Sequence, residues 1–276
     1  MRAFIAFCLI FSLCHSALPA FGQTRISVAE HETIAATLSL GKAYKEYQRL
    51  LTQKDRYEAM PYAERVYFLA KQKNTSDKKN NSTFAAAALN YGRLLVSANQ
   101  KKLASEIMKE ALLAHETHYG PEAVELLDPL MDLGHASTKF RGTIAGKKYY
   151  TRAITIAEAN SKPNSPLVAQ LYFEMAEQFL INGVGNRKRA ISDLTKAHDI
   201  FLKELGPNNG RTAIAAYRLG EIRKMERNYS EAAGFLESAV NVFDEQAPDG
   251  SLTKAVHAML ISTYENLGES DLATKH

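Results

Sequence analysis

Small residues recur along this chain at an interval close to forty-two, each set in an apolar pattern of helical period. Ala59, Ala104, Gly146, Ala190, Ala232 and Ala273 are separated by 45, 42, 44, 42 and 41 residues. A second small residue precedes four of them at twelve to fourteen positions: Gly92, Gly134, Ala176 and Gly220. A third follows at seven: Ala111, Ala153, Ala197 and Ala239. Self-similarity at a period of roughly 20–50 residues means stacked supersecondary units rather than one globular core. Long windows carry the 3.6-residue period with little alternation, so each unit reads as two antiparallel helices. The small residues let the paired helices approach, the first helix's Gly or Ala fitting opposite the second's. Breaker segments at 71–82, 160–166, 206–210 and 246–250 fall between units, where Gly, Pro and Asn favour turns.

Leu133-Gly134, Leu219-Gly220 and Leu260-Ile261, with the small and large residues spaced after them, resemble the tetratricopeptide repeat family in its variant with longer helices. The resemblance spans residues 34–276 as about five repeats and a truncated sixth. It implies an all-α, right-handed superhelical solenoid of antiparallel helix pairs. The first helices then line a concave groove that holds a peptide or protein segment. Carried over by the same spacing, the groove positions are Leu89, Arg93 and Val96, then Met131, His135 and Lys139, then Phe173, Glu177 and Leu180. Tyr217, Glu221 and Lys224 follow, and then Ala258, Ser262 and Glu265. Phe173 and Tyr217 are the expected aromatic anchors. The set lacks the Lys/Asn clamp with which chaperone-binding members hold a C-terminal carboxylate.

The first residues read as an address. Arg2 is followed by an apolar run over 3–14, then Pro19, Ala20 and Gly22. This is the layout of a secretory signal over residues 1–22, with 23–33 a short N-terminal segment. The apolar run is about half the roughly 20 residues a spanning helix needs, so no transmembrane anchor is expected after cleavage. Cys8 and Cys14 would leave with the signal, which removes disulfides, thiol catalysis and Cys-bound metal from the rest. The expected location is the periplasm, reached across the inner membrane, with a protein or peptide partner there, envelope transport proteins among them. Signal, repeats and the run Tyr264-Glu265-Asn266-Leu267-Gly268 also resemble the N-terminal part of TonB-type energy-transducing envelope proteins.

Chemistry is sparse. Thirty-four Lys+Arg against thirty Asp+Glu give +4, spread along the repeats, so no nucleic-acid partner is expected. His115-Glu116-Thr117-His118 spaces its histidines by three, whereas the helical zinc motif needs four. Gly183-Val184-Gly185 lies between two helices rather than after a strand, so it reads as a turn. No nucleophile–base or paired-carboxylate arrangement emerges. The expectation is a non-enzymatic scaffold without cofactor, metal or catalytic residues. An enzyme with an unrecognised site is the remaining alternative.

Overall fold

The computed structural model describes residues 27–76, 81–181 and 187–276. The expected signal (1–22), the Gly183-Val184-Gly185 turn and part of the 71–82 linker lie outside them. Among the described residues there is no strand, and thirteen α-helices follow one another. They are α1 (Val28–Thr37), α2 (Leu40–Thr52), α3 (Arg56–Ser76), α4 (Asn81–Ser97), α5 (Lys101–Tyr119), α6 (Leu127–Arg141) and α7 (Thr143–Asn160). Then come α8 (Pro166–Ile181), α9 (Arg187–Leu205), α10 (Gly210–Met225), α11 (Tyr229–Gln246), α12 (Ser251–Leu267) and the short α13 (Ser270–Ala273). Pairs α2/α3, α4/α5, α6/α7, α8/α9 and α10/α11 form hairpins, and each hairpin packs on the next. This is the all-α right-handed solenoid of antiparallel helix pairs. α1 runs through residue 34 and packs on α3. There the buried His31 places Nδ1 2.8 Å from the Tyr62 hydroxyl.

The small residues sit where close approach requires them. Ala59, Ala104, Ala190 and Ala232 have no exposed surface, and neither do Ala111, Ala153, Ala197 and Ala239. Within a hairpin the expected small-on-small contact is joined by a small-on-large one. A Cβ placed on Gly92 would stand 2.6 Å from Met108 Cγ, one on Gly134 2.7 Å from Tyr150, and one on Gly220 2.7 Å from Leu236 Cγ. Each first-helix glycine therefore receives the large side chain one turn beyond the second helix's small anchor. Gly146 also backs onto the Gly134 carbonyl, which would lie 2.5 Å from an added Cβ. The apolar stripe formed this way is continuous from Ala35 to Ile222, with a second cluster from Ala213 to Ala273.

How the hairpins turn is also repeated. α2, α4, α10 and α12 each end in a residue with positive φ: Lys54 (62°), Asn99 (61°), Arg227 (62°) and Gly268 (76°). At each, the next residue's N–H donates back across the turn: Asp55 to Leu50 O, Gln100 to Leu95 O, Asn228 to Arg223 O and Glu269 to Tyr264 O, at 2.9–3.1 Å. With the 5→2 bonds Lys54 to Leu51, Asn99 to Val96, Arg227 to Lys224 and Gly268 to Glu265, these are Schellman ends, which satisfy carbonyls the helix leaves open. The α6/α7 turn is tighter: Gly142 alone (φ 86°) separates the helices.

The polar stretch expected to be linker from Lys71 is still helix as far as Ser76. Lys71 donates to the Tyr67 hydroxyl and to Glu110 Oε2 of α5, at 2.9 and 2.7 Å. These contacts hold the last turns of α3 against the next hairpin.

Candidate functional site

Helices α4, α6, α8, α10 and α12, the first of successive pairs, carry the positions taken from the spacing. Several of these positions hold one another. Arg93 Nε donates to Asp132 Oδ2 at 2.6 Å, linking α4 to α6. Arg218 on α10 grips Glu177 on α8 in a bidentate pair, 2.7 and 2.8 Å, and its Nη1 also donates to Glu221. Lys224 donates to the Ser262 hydroxyl, linking α10 to α12. His135 interacts with Gln178 of α8. A polar ladder therefore links the first helices from one hairpin to the next.

Desolvation governs its ionisation. Burial, reinforced by the nearby Lys139 ammonium, pushes His135 down to about 4, so the imidazole is neutral at pH 7. Asp132 is raised because its desolvation outweighs the attraction of Arg93. Glu174 is raised by burial, and by the Glu177 and Asp132 carboxylates beyond it. Its Oε1 accepts from Gln170 Nε2 at 2.8 Å. Tyr217 is raised, chiefly by burial and then by Glu221.

Phe173 and Tyr217 are half-buried, each resting one side on the core. Lys139 and Ser262 are half-buried, and Ala258 and Glu265 are exposed. Leu89 and Val96, by contrast, belong to the core, with 6% and 9% of their surface exposed, so they present nothing to a groove. The spacing also missed Asp132, Glu174 and Arg218. A signal for two of these three exists in the sequence: Arg93–Asp132, Glu177–Arg218 and Lys224–Ser262 are complementary pairs 39, 41 and 38 residues apart. That is just under the repeat period, as expected for neighbours on successive first helices.

His115 and His118 lie in the last turns of α5. His115 stacks on Tyr119 at 5.8 Å between centroids, and burial lowers its basicity. Among the described residues no three His, Cys, Asp or Glu side chains are grouped as metal ligands would be.

No protein-family model matches the chain. Solved structures resemble it in fold. BtubC (BKLC) from P. vanneervenii superposes with a TM-score of 0.64 at 17% identity, covering 78% of this chain and 85% of that one. Nearly identical TPR-like repeats from Podosopora anserina give 0.56 at 16%, covering 69% and 90%. Aspartyl phosphate phosphatase F from Bacillus subtilis gives 0.60 at 16%, covering 94% and 74%. The fold is that of a TPR-like solenoid. Among curated proteins the chain is similar to the clustered mitochondria protein homologs of Aspergillus oryzae and Aspergillus clavatus, 24% and 23% identical over 169 residues. The match takes in 60% of this chain and 13% of theirs. These relatives overturn the periplasmic address expected from the first residues. They are fungal proteins named for mitochondria, not proteins of a bacterial envelope. Neither the TonB-type resemblance nor the envelope transport partners are shown by these comparisons.

Proposed function

We propose that the chain is a non-catalytic interaction scaffold whose concave wall holds a peptide or protein segment. The ladder Arg93–Asp132, Glu177–Arg218–Glu221 and Lys224–Ser262 supports this reading most directly. It ties the inner helices together without a ligand, so the wall is shaped before a partner arrives and little ordering remains to be done on binding. Between its rungs stand Phe173 and Tyr217, half-buried rings that offer apolar area, with Glu177, Arg218 and Glu221 as polar neighbours of Tyr217. An anchor of that kind flanked by hydrogen-bonding groups suits a side chain of an extended or helical segment.

Photo-crosslinking tests the assignment. A benzophenone side chain placed at Tyr217 should give discrete partner adducts, and Phe173→Ala should remove them. The same probe at Ser238, which is exposed on α11, should give none of those species. Identical adducts from both positions would remove the groove from consideration.

A further inference from the structure

Charge in the central hairpins is sorted by edge. No Asp or Glu occurs between Asp77 and Glu106, between Asp132 and Glu158, or between Glu177 and Asp193. These stretches contain the turns within the α4/α5, α6/α7 and α8/α9 hairpins. Between Lys109 and Lys139 the rule inverts: no Lys or Arg, but Glu110, Glu116, Glu122, Glu125, Asp128 and Asp132. That stretch contains the turn between the α4/α5 and α6/α7 hairpins, at the opposite edge. In these three hairpins the solenoid brings basic residues far apart in sequence to one rim.

Six cations make this rim: Lys101, Lys102, Arg141, Lys147, Lys148 and Lys188, of which all but the half-buried Lys101 are exposed. Their placement opposes local helix stability. The first turn of a helix favours acids, yet α5 opens on Lys101-Lys102 and α9 on Arg187-Lys188, and neither they nor α7 carry an acid there. The positive helix ends add to the positive side chains, so the rim concentrates potential where folding alone would dilute it. Aliphatic side chains project among the cations. Ile144 is 89% exposed, more than any other large apolar side chain of the described residues, and Leu103 is 38% exposed.

We infer that this rim docks the protein on an anionic lipid surface, lysines and arginine meeting headgroup phosphates and Ile144 and Leu103 entering the boundary with the acyl chains. Cations beside exposed aliphatics suit that boundary. A nucleic acid would need rings for its bases to stack on. The two rings nearest the α6/α7 turn are instead covered by cations, Phe140 by Arg141 at 5.2 Å and Tyr149 by Lys148 at 4.7 Å. The acids of the α5/α6 turn, Glu122 and Glu125, lie at the opposite edge, which favours approach by the basic rim. No helix of the described residues is long and apolar enough to cross a membrane, so the contact is peripheral.

Flotation of the full chain with phosphatidylcholine vesicles containing about 30% phosphatidylserine tests this, against pure phosphatidylcholine. Binding to the anionic vesicles alone, released by salt, is expected. Each lysine contributes about fivefold to partitioning, so Lys147→Glu with Lys148→Glu should weaken it by more than tenfold. Ile144→Ser should weaken it severalfold at every salt concentration, since its share is apolar. Lys203→Glu, on the opposite edge, should leave it unchanged, and circular dichroism should show every variant folded. Absent binding, equal binding to both vesicles, or equal loss with Lys203→Glu overturns the proposal. So does binding of a uridine oligonucleotide through the same lysines by a chain that ignores the vesicles.

Discussion

At the scale of single residues, the fold rests on volume, and the consequences of changing it follow directly. Ala232 has no exposed surface, and its carbonyl would lie 3.2 Å from a Cβ added at Gly220. Leu at 232 adds three carbons where the helices already touch. Overpacking of that kind costs about 1–3 kcal/mol, so Ala232→Leu should lower the urea midpoint without changing the slope. His135 makes a second residue-scale prediction. Its pKa falls from the ordinary value to about 4 on folding, so below the unfolded value the unfolded chain binds the extra proton and the native state does not. Stability contributed by neutral His135 is complete above about pH 6.5 and declines as pH falls toward 4. Asp132 and Glu174 act in the opposite sense, because their raised values let the folded state take up protons first. Urea midpoints from pH 7 to 4 for the native chain and for His135→Asn separate the two. The variant should lose less stability on acidification, by about 2 kcal/mol once the partial exposure of the ring is allowed for. Parallel curves would place the titration elsewhere.

At the scale of the helix and its ends, the sequence shows some determinants openly and conceals others. The small residues are legible because a close helix contact tolerates almost nothing else, and they recur in register. The ladder across the first helices is partly legible. Arg93 and Glu177 come from the spacing, but their partners Asp132 and Arg218 meet them through orientation, which depends on how each hairpin rotates against the next. Leu89 and Val96 were misplaced for the same reason: three positions along one helix face do not all point inward when the neighbouring pair also packs on that face. The Schellman ends are nearly invisible, since Lys54 and Arg227 occupy positions that usually announce themselves as glycine. A left-handed conformation strains a residue bearing a Cβ. Arg227→Gly should therefore stabilise the protein by up to about 1 kcal/mol, and Asn99→Gly by less, because Asn tolerates that conformation. Chemical denaturation of both variants checks the order. A destabilised Arg227→Gly would mean that the side chain itself supports the turn.

At the scale of the whole molecule, a stack of hairpins has only neighbours to rely on, so stability should be regional rather than uniform. Two seams show how neighbours are joined. Tyr91 on α4 donates its hydroxyl to Glu64 of α3 at 2.9 Å, and Tyr264 on α12 donates to Glu237 of α11. Both pairs span 27 residues, and Glu64 and Glu237 each lie five residues beyond their repeat's small anchor, Ala59 and Ala232. In each, burial and the facing carboxylate raise the phenol well above its ordinary value, so it remains a donor at any working pH. Removing the hydroxyl leaves a carboxylate without its donor, at a cost of about 1–2 kcal/mol. The two losses should be felt differently. Tyr264 joins only α12 and α13 to the array, so Tyr264→Phe should speed hydrogen exchange in 251–273 while protection in α4 and α5 stays as it was. Tyr91 lies at an interior seam with helices stacked on both sides, so Tyr91→Phe should lower protection on both flanks together. If both variants instead lowered protection evenly from α2 to α12, the array would unfold as one cooperative unit, and the nearest-neighbour description would not hold for it.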